Sequence, residues 1–194
     1  MENRTIIVVP YTTAWAETFE RLAGIYRAQL GELVTGIEHV GSTSVPGLAA
    51  KPIIDIDIII QGPAGLPSVV AVLERLGYTW RGDLGIPGRE AFGRNADTSP
   101  LDGNGTSWPA HNLYVCVEGC TSLKNHLQLR NYLRQHPDAA RQYGTLKQEL
   151  AAKYPNDIDS YVEGKTAFIT AILAHTGMEA DDLKNITAQN KATK

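Results

Sequence analysis

Two aspartates one residue apart, Asp55 and Asp57, interrupt the longest apolar run of the chain, Ile53 to Ile60. Alternate side chains of a strand share a face, so both carboxylates point the same way, with Cα atoms about 7 Å apart. Oxygen donors at that spacing can share a hard divalent cation, Mg2+ or Mn2+. Ile53 and Ile59 fall on the same face, where carboxylates buried without partners are costly. A metal or a cationic ligand would remove that cost; a strand face solvated at its centre is the other reading. About a dozen residues earlier stands Gly41-Ser42-Thr43-Ser44. Glycine lets the backbone take positive φ and approach a ligand closely. Successive amides and hydroxyls in such a turn can nest phosphate oxygens, with a helix dipole added if Ser44 opens a helix. The alternative is an ordinary Ser/Gly turn. Taken together, the two segments put a triphosphate holder beside a metal holder.

These residues need elements to position them. Thr5 to Val9 is a β-branched run that predicts a strand ended by Pro10. A helix capped by Thr12 or Thr13 follows, with Trp15, Phe19, Leu22, Tyr26 and Leu30 on one face. Ile37 to Val40 predicts a short strand before the Gly-Ser turn, and Ile53 to Ile60 the strongest strand of the chain. Ser68 to Leu76 reads as a helix stopped by Gly77, then Tyr78 to Arg81 as a strand. Residues 82–109, rich in Gly, Pro, Asn and Asp, predict a long irregular stretch with a hairpin around Ala91-Phe92-Gly93. Asn112 to Val117 predicts another strand.

The rest is helical. Leu123 to Gln135 comes first, then a segment carrying Ala139, Tyr143, Leu146, Leu150 and Tyr154 and ended by Pro155. A third helix has Ser160 and Glu163 at capping-box spacing and buries Tyr161, Phe168, Ile169, Ile172 and Leu173. Gly164 inside it costs about 1 kcal/mol against Ala, which predicts tight packing there. The expected organisation is an α/β core over 1–120, a helical extension over 121–176 packed on it as one compact domain, and a frayed or weakly helical polar tail over 177–194.

Composition excludes some functions. A net charge of −3 and pI near 5.9 give no broad nucleic-acid footprint, and with the short chain they argue against a nucleic-acid polymerase. No apolar run reaches membrane-spanning length. Met1 to Arg4 shows no signal-peptide pattern, so a cytoplasmic location is expected. Two cysteines do not make a disulfide scaffold, and reduced thiols are expected. Cys116, Cys120 and His126 match no standard zinc-finger spacing. Trp108, in the long loop, is the tryptophan to consider for base stacking; core packing is its commoner use.

The run from Ile37-Glu38-His39-Val40-Gly41-Ser42 through Pro46-Gly47-Leu48 and Lys51-Pro52 to Asp55-Ile56 resembles the signature of the GrpB-like proteins, of the nucleotidyltransferase fold superfamily. Val9-Pro10-Tyr11, Gly85 to Arg89, His111 to Val115 and Leu129 to Arg134 resemble further parts of that family. The resemblance implies an α/β (α+β) fold, a nucleotidyltransferase-like mixed β-sheet flanked by helices with a C-terminal helical extension. It also implies Mg2+-dependent transfer of a nucleotidyl group from a nucleoside triphosphate to a small-molecule or protein acceptor. Asp55 and Asp57 would hold the metal. Gly41, Ser42, Thr43 and Ser44 would hold phosphates, Lys51 would add charge, and Arg89 and Arg130 would clamp anions. Active members of the superfamily commonly carry a third carboxylate on a neighbouring strand. Asn112 to Val117 contains none, which leaves His111 at its start as a candidate base and Glu118 just past its end. The departure keeps open a second reading, a non-catalytic helper module that binds nucleotide or a partner on the same scaffold.

Overall fold

The computed structural model describes residues 5–191; Met1 to Arg4, where no leader pattern was read, lie outside them. The chain packs as two compact units: a sheet unit of Thr13–Ser44 and Ile53–His126, and a helical unit of Met1–Thr12, Val45–Pro52 and Leu127–Lys194.

The sheet unit opens with helix α1 (Ala14–Leu30), followed by strand β1 (Gly36–Val40), a three-residue 3-10 turn (Ser42–Ser44) and strand β2 (Ile54–Ile60). Helix α2 (Leu66–Arg75), β3 (Tyr78–Trp80), β4 (Arg89–Arg94), β5 (His111–Val117) and the start of α3 (Thr121–Gln135) complete it. The sheet order is β1-β2-β5-β4-β3. Only β2 and β5 run parallel; the other neighbours are antiparallel.

Register decides what each face carries. Ile54, Ile56, Ile58 and Ile60 line up with Leu113 and Val115 of β5 and pack against Phe19, Leu22, Ala23 and Tyr26 of α1 and Val69 and Leu73 of α2. That face is the core of the unit. The alternation of β2 then puts Asp55 and Asp57 on the other face.

The segment expected to be irregular contains β4, which pairs with both β3 and β5 and so belongs to the sheet. Its last residue, Arg94, donates to the carbonyls of Asp97, Trp108 and Pro109 at 2.6–3.0 Å and gathers the loop beyond it. Trp108 is buried, with Nε1 donating to Pro100 O and the Arg21 guanidinium over its ring; the packing role holds, and no stacking platform is presented.

In the helical unit, Thr5 to Val9 forms no strand: Val9 makes one bridge, to Ala50, and Ile6 N–H donates to Pro155 O. Among the described residues the expected β-run makes this single bridge and no ladder. Helices α4 (Pro137–Lys153) and α5 (Ile158–His175) pack with the 45–52 segment around Val45, Leu48, Leu133, Tyr143 and Ile172. Asp157, not Ser160, caps α5, its carboxylate accepting from Ser160 N–H and Oγ. A charged two-oxygen acceptor just ahead of the helix takes both Ser160 N–H and Ser160 Oγ, and so replaces the capping box of Ser160 and Glu163. The tail forms helix α6 (Ala180–Gln189), held by Ile186 against Leu173 and Met178. No helix among the described residues is long and apolar enough to cross a membrane.

Candidate metal and nucleotide site

Asp57 lies at the centre of β2 with its side chain wholly removed from solvent. Its Oδ2 accepts from His126 Nδ1, on the second turn of α3, at 2.7 Å. Its Oδ1 is buried with no protein partner. An unpaired carboxylate oxygen in that setting is costly and is the kind of atom that takes a cation. Asp55, half-buried one turn of the pleat away, accepts from Asn112 Nδ2 at 2.8 Å. The β2–β5 register puts Asn112 opposite Asp55 and Tyr114 opposite Asp57.

Across the other edge of β2, Glu38 is the Cα partner of Asp57. Directly opposed antiparallel residues share a face and sit about 5 Å apart at Cα. The carboxylate absent from the parallel neighbour is therefore present on the antiparallel one. Among the described residues no three His, Cys, Asp or Glu side chains converge on one point. Mg2+ needs less, since it is commonly held by one or two carboxylates plus substrate phosphates. The all-oxygen pair fits that ion, and the zinc reading of Cys116, Cys120 and His126 has no ligand cluster behind it.

Gly41 (φ +68°) packs against Asp55 so closely that a Cβ there would lie 2.1 Å from Oδ2. The Gly-Ser turn and the aspartate strand do meet. Its hydroxyls have a different use from the one expected. Ser44 Oγ and N–H both donate to Gly41 O. Thr43 Oγ1 donates to Ile53 O and meets His39 Nε2 at 3.0 Å, so that nitrogen carries the proton. His39 in turn stacks on Phe19. Thr43 and Ser44 thus brace the turn from inside, and half-buried Ser42 remains at its surface. The turn is three residues of 3-10 helix, so the helix dipole considered for Ser44 has no helix to supply it.

Arg89, at the start of β4, aligns with Cys116 on the aspartate face, and its guanidinium lies 4.5 Å over the Tyr114 ring. Burial raises the Tyr114 pKa, and Asp55 raises it further. For His126, burial works against the imidazolium, but the charge and hydrogen bond of Asp57, with the charge of Asp55, outweigh it and the pKa rises.

His111 is on the opposite face, aligned with Ile54. Its Nε2 meets Tyr78 Oη at 2.6 Å, its Nδ1 meets Pro109 O, and Tyr78 continues to Tyr26. Burial lowers its pKa to about 4. It is not brought together with the aspartates. Lys51 and Arg130 belong to the helical unit, where Lys51 Nζ lies over the Tyr161 ring and Arg130 Nε donates to Asn131 Oδ1. Lys147 of that unit, 2% exposed, donates to Ala49 O.

Sequence reading missed Glu38 and the role of His126. Glu38 stood inside the motif, two residues from Val40, and alternation alone gave its face; the missing information was that β1 pairs with β2. His126 suggests by its sequence neighbours only a zinc ligand, since its contact with Asp57 spans 69 residues.

A five-stranded mixed sheet with helices on its apolar face, and a Gly-Ser turn seated on an Asp-x-Asp strand, define a nucleotidyltransferase-like fold. Cid1 poly(U) polymerase with MgGTP bound superposes with a TM-score of 0.52 over 74% of this chain and 44% of its own, at 14% identity, a likeness of fold. Within that class the chain belongs to the GrpB family, whose model, described as GrpB protein, matches residues 5–175. The crystal structure of conserved protein GrpB from Enterococcus faecalis is 36% identical, with a TM-score of 0.73 over 92% of this chain and 98% of that one. The UPF0157 protein YqkA of Bacillus subtilis is 33% identical over 86% of this chain, which spans 46% of YqkA's length.

Proposed function

We propose that this chain binds a nucleoside triphosphate with Mg2+, or Mn2+ in its place, and transfers the nucleotidyl group to a hydroxyl or similar group of a small-molecule or protein acceptor. The observation that carries the reading is Asp57 Oδ1, buried and unpaired beside Asp55 and the Gly41 turn. Asp55 and Asp57 would hold the ion, which when bound neutralises charge developing on the transferred and leaving phosphates. His126 fixes Asp57 through Oδ2 and leaves Oδ1 as the donor. Asn112 orients Asp55. Gly41 brings backbone close to the Asp55 carboxylate, with Ser42 available to terminal phosphate oxygens. Arg89, held over Tyr114, supplies a positive charge on the same face.

The test is calorimetric titration with each of the four nucleoside triphosphates in Mg2+, against the Asp55→Asn, Asp57→Asn double variant. Binding that requires both Mg2+ and the aspartates is expected. Equal binding by the double variant would remove the reading.

A second reading, a helper module that binds nucleotide or a partner without turnover, is favoured by the absence of three converging ligands among the described residues and by the His126–Asp57 pair. Metal-dependent binding without pyrophosphate release across a panel of acceptors would select it.

A further inference from the structure

Cys116 and Cys120 stand out among groups that the nucleotide reading does not use. Both are free thiols. Cys116 is buried at the end of β5, and Cys120 is half-buried just ahead of α3. A two-residue turn at Glu118-Gly119 (Gly119 φ +77°), with Cys120 N–H donating to Val117 O, folds the second cysteine back on the first. The turn sets the two thiols against each other, and their side chains interact. Gly88, also at positive φ, lies so close that a Cβ there would be 2.8 Å from Cys120 Cβ, which pins that side chain in place.

The outer sulfur is the better nucleophile. Cys120 O accepts the first α3 bond, from Lys124 N–H, so Cys120 occupies the N-cap position. The backbone N–H groups of Ser122 and Leu123 donate to its sulfur. Donors at a helix start stabilise a thiolate. The hydrogen bond from Cys116 and these donors together lower the Cys120 pKa, whereas the same pairing and burial push Cys116 up.

We propose that Cys116 and Cys120 form a peroxide-reactive dithiol, with Cys120 the attacking sulfur and Cys116 the resolving one. The Cys120 thiolate attacks one oxygen of hydrogen peroxide and breaks the O–O bond. This gives Cys120 sulfenic acid and hydroxide, which takes a proton to become water. The Cys116 thiol then attacks the sulfenic sulfur and passes its proton to the departing hydroxide. The S–O bond breaks, a disulfide forms and a second water leaves. Two thiols lose two electrons and one peroxide gains them. The proposal is independent of nucleotide binding.

The experiment treats the reduced full chain with stoichiometric hydrogen peroxide and digests it with trypsin without reductant. Both cysteines fall in the peptide 95–124, between Arg94 and Lys124. The expected product is that peptide about 2 Da lighter and no longer open to iodoacetamide. Cys116→Ser is expected to stop at a Cys120 sulfenic acid that dimedone traps. In the untreated fold, Cys120 should alkylate at least roughly tenfold faster than Cys116. Thiols that survive a peroxide excess, a disulfide found only between two chains, or a Cys120→Ser protein that consumes peroxide at the wild-type rate would each overturn the proposal. The wild-type measurement stands even if a variant folds poorly.

Discussion

His126 and His111 respond to pH in opposite directions because one sits beside a carboxylate and the other is buried with only a guanidinium, that of Arg94, as its charged neighbour. The folded pKa of His126 is raised above the unfolded value of about 6.5. Its contribution to stability is therefore fully present below that pH and is lost as pH rises through the folded pKa. His126→Gln should flatten this alkaline decline, followed by urea unfolding as pH is raised from about 6.5. His126→Ala should cost about 3 kcal/mol below it, since it strands a buried Asp57. His111 has a folded pKa lowered to about 4. Its neutral form is the folded one, so stability is present above about pH 6.5 and lost as pH falls through the folded value, by roughly 3 kcal/mol for that shift. His111→Phe should remove the acid slope, measured the same way, while Tyr78 keeps its bond to Tyr26.

At the scale of elements, two close approaches carry the packing argument. The turn between β1 and β2 depends on Gly41, which combines positive φ with a carboxylate where a side chain would go. Gly41→Ala should cost roughly 1–3 kcal/mol in denaturant unfolding, and it should abolish Mg2+-dependent nucleotide binding by displacing Asp55. The tight packing expected at Gly164 is present: a Cβ there would meet Leu150 Cδ2 at 2.4 Å where α5 crosses α4. Leu150 is hemmed in by Ile6, Ala151 and Tyr161 and has little room to yield. Gly164→Ala gains about 1 kcal/mol of helix propensity and should still destabilise, because overpacking costs about 1–3 kcal/mol. Combined with Leu150→Ala the two effects should be non-additive, with the Gly164→Ala penalty relieved in a double-mutant cycle.

For the whole molecule, ligand linkage is the observable. Binding that is confined to the folded state stabilises by about 2.7 kcal/mol at a hundredfold excess over Kd. In a chain of this size that should raise Tm by roughly 5–10 °C with Mg2+ and a nucleoside triphosphate together, and by much less with either alone. A scanning-calorimetry shift that is unchanged in the Asp55→Asn, Asp57→Asn protein would show that any bound nucleotide lies elsewhere.

Much of this was legible along the chain. The period-two alternation of Ile54 to Ile60 put Asp55 and Asp57 on one face before any partner strand was known, and the spacing of Phe19, Leu22 and Tyr26 gave the helix that covers the other. The Gly41-Ser42 motif placed a turn beside the aspartates. Such signals are local, because alternation, helical spacing and turn chemistry depend only on near neighbours in the chain. Pairing is not local. That β2 runs parallel to β5 and antiparallel to β1 is set by burial over the whole sheet. That choice aligned Glu38 with Asp57, sent His111 to the apolar face and drew β4 out of a loop-like stretch. The packing of α3 brought His126, 69 residues away in sequence, onto Asp57. The residues able to do chemistry were fixed by their types and spacing. Which of them face one another was decided by tertiary structure, since a one-residue change of register would exchange the two faces.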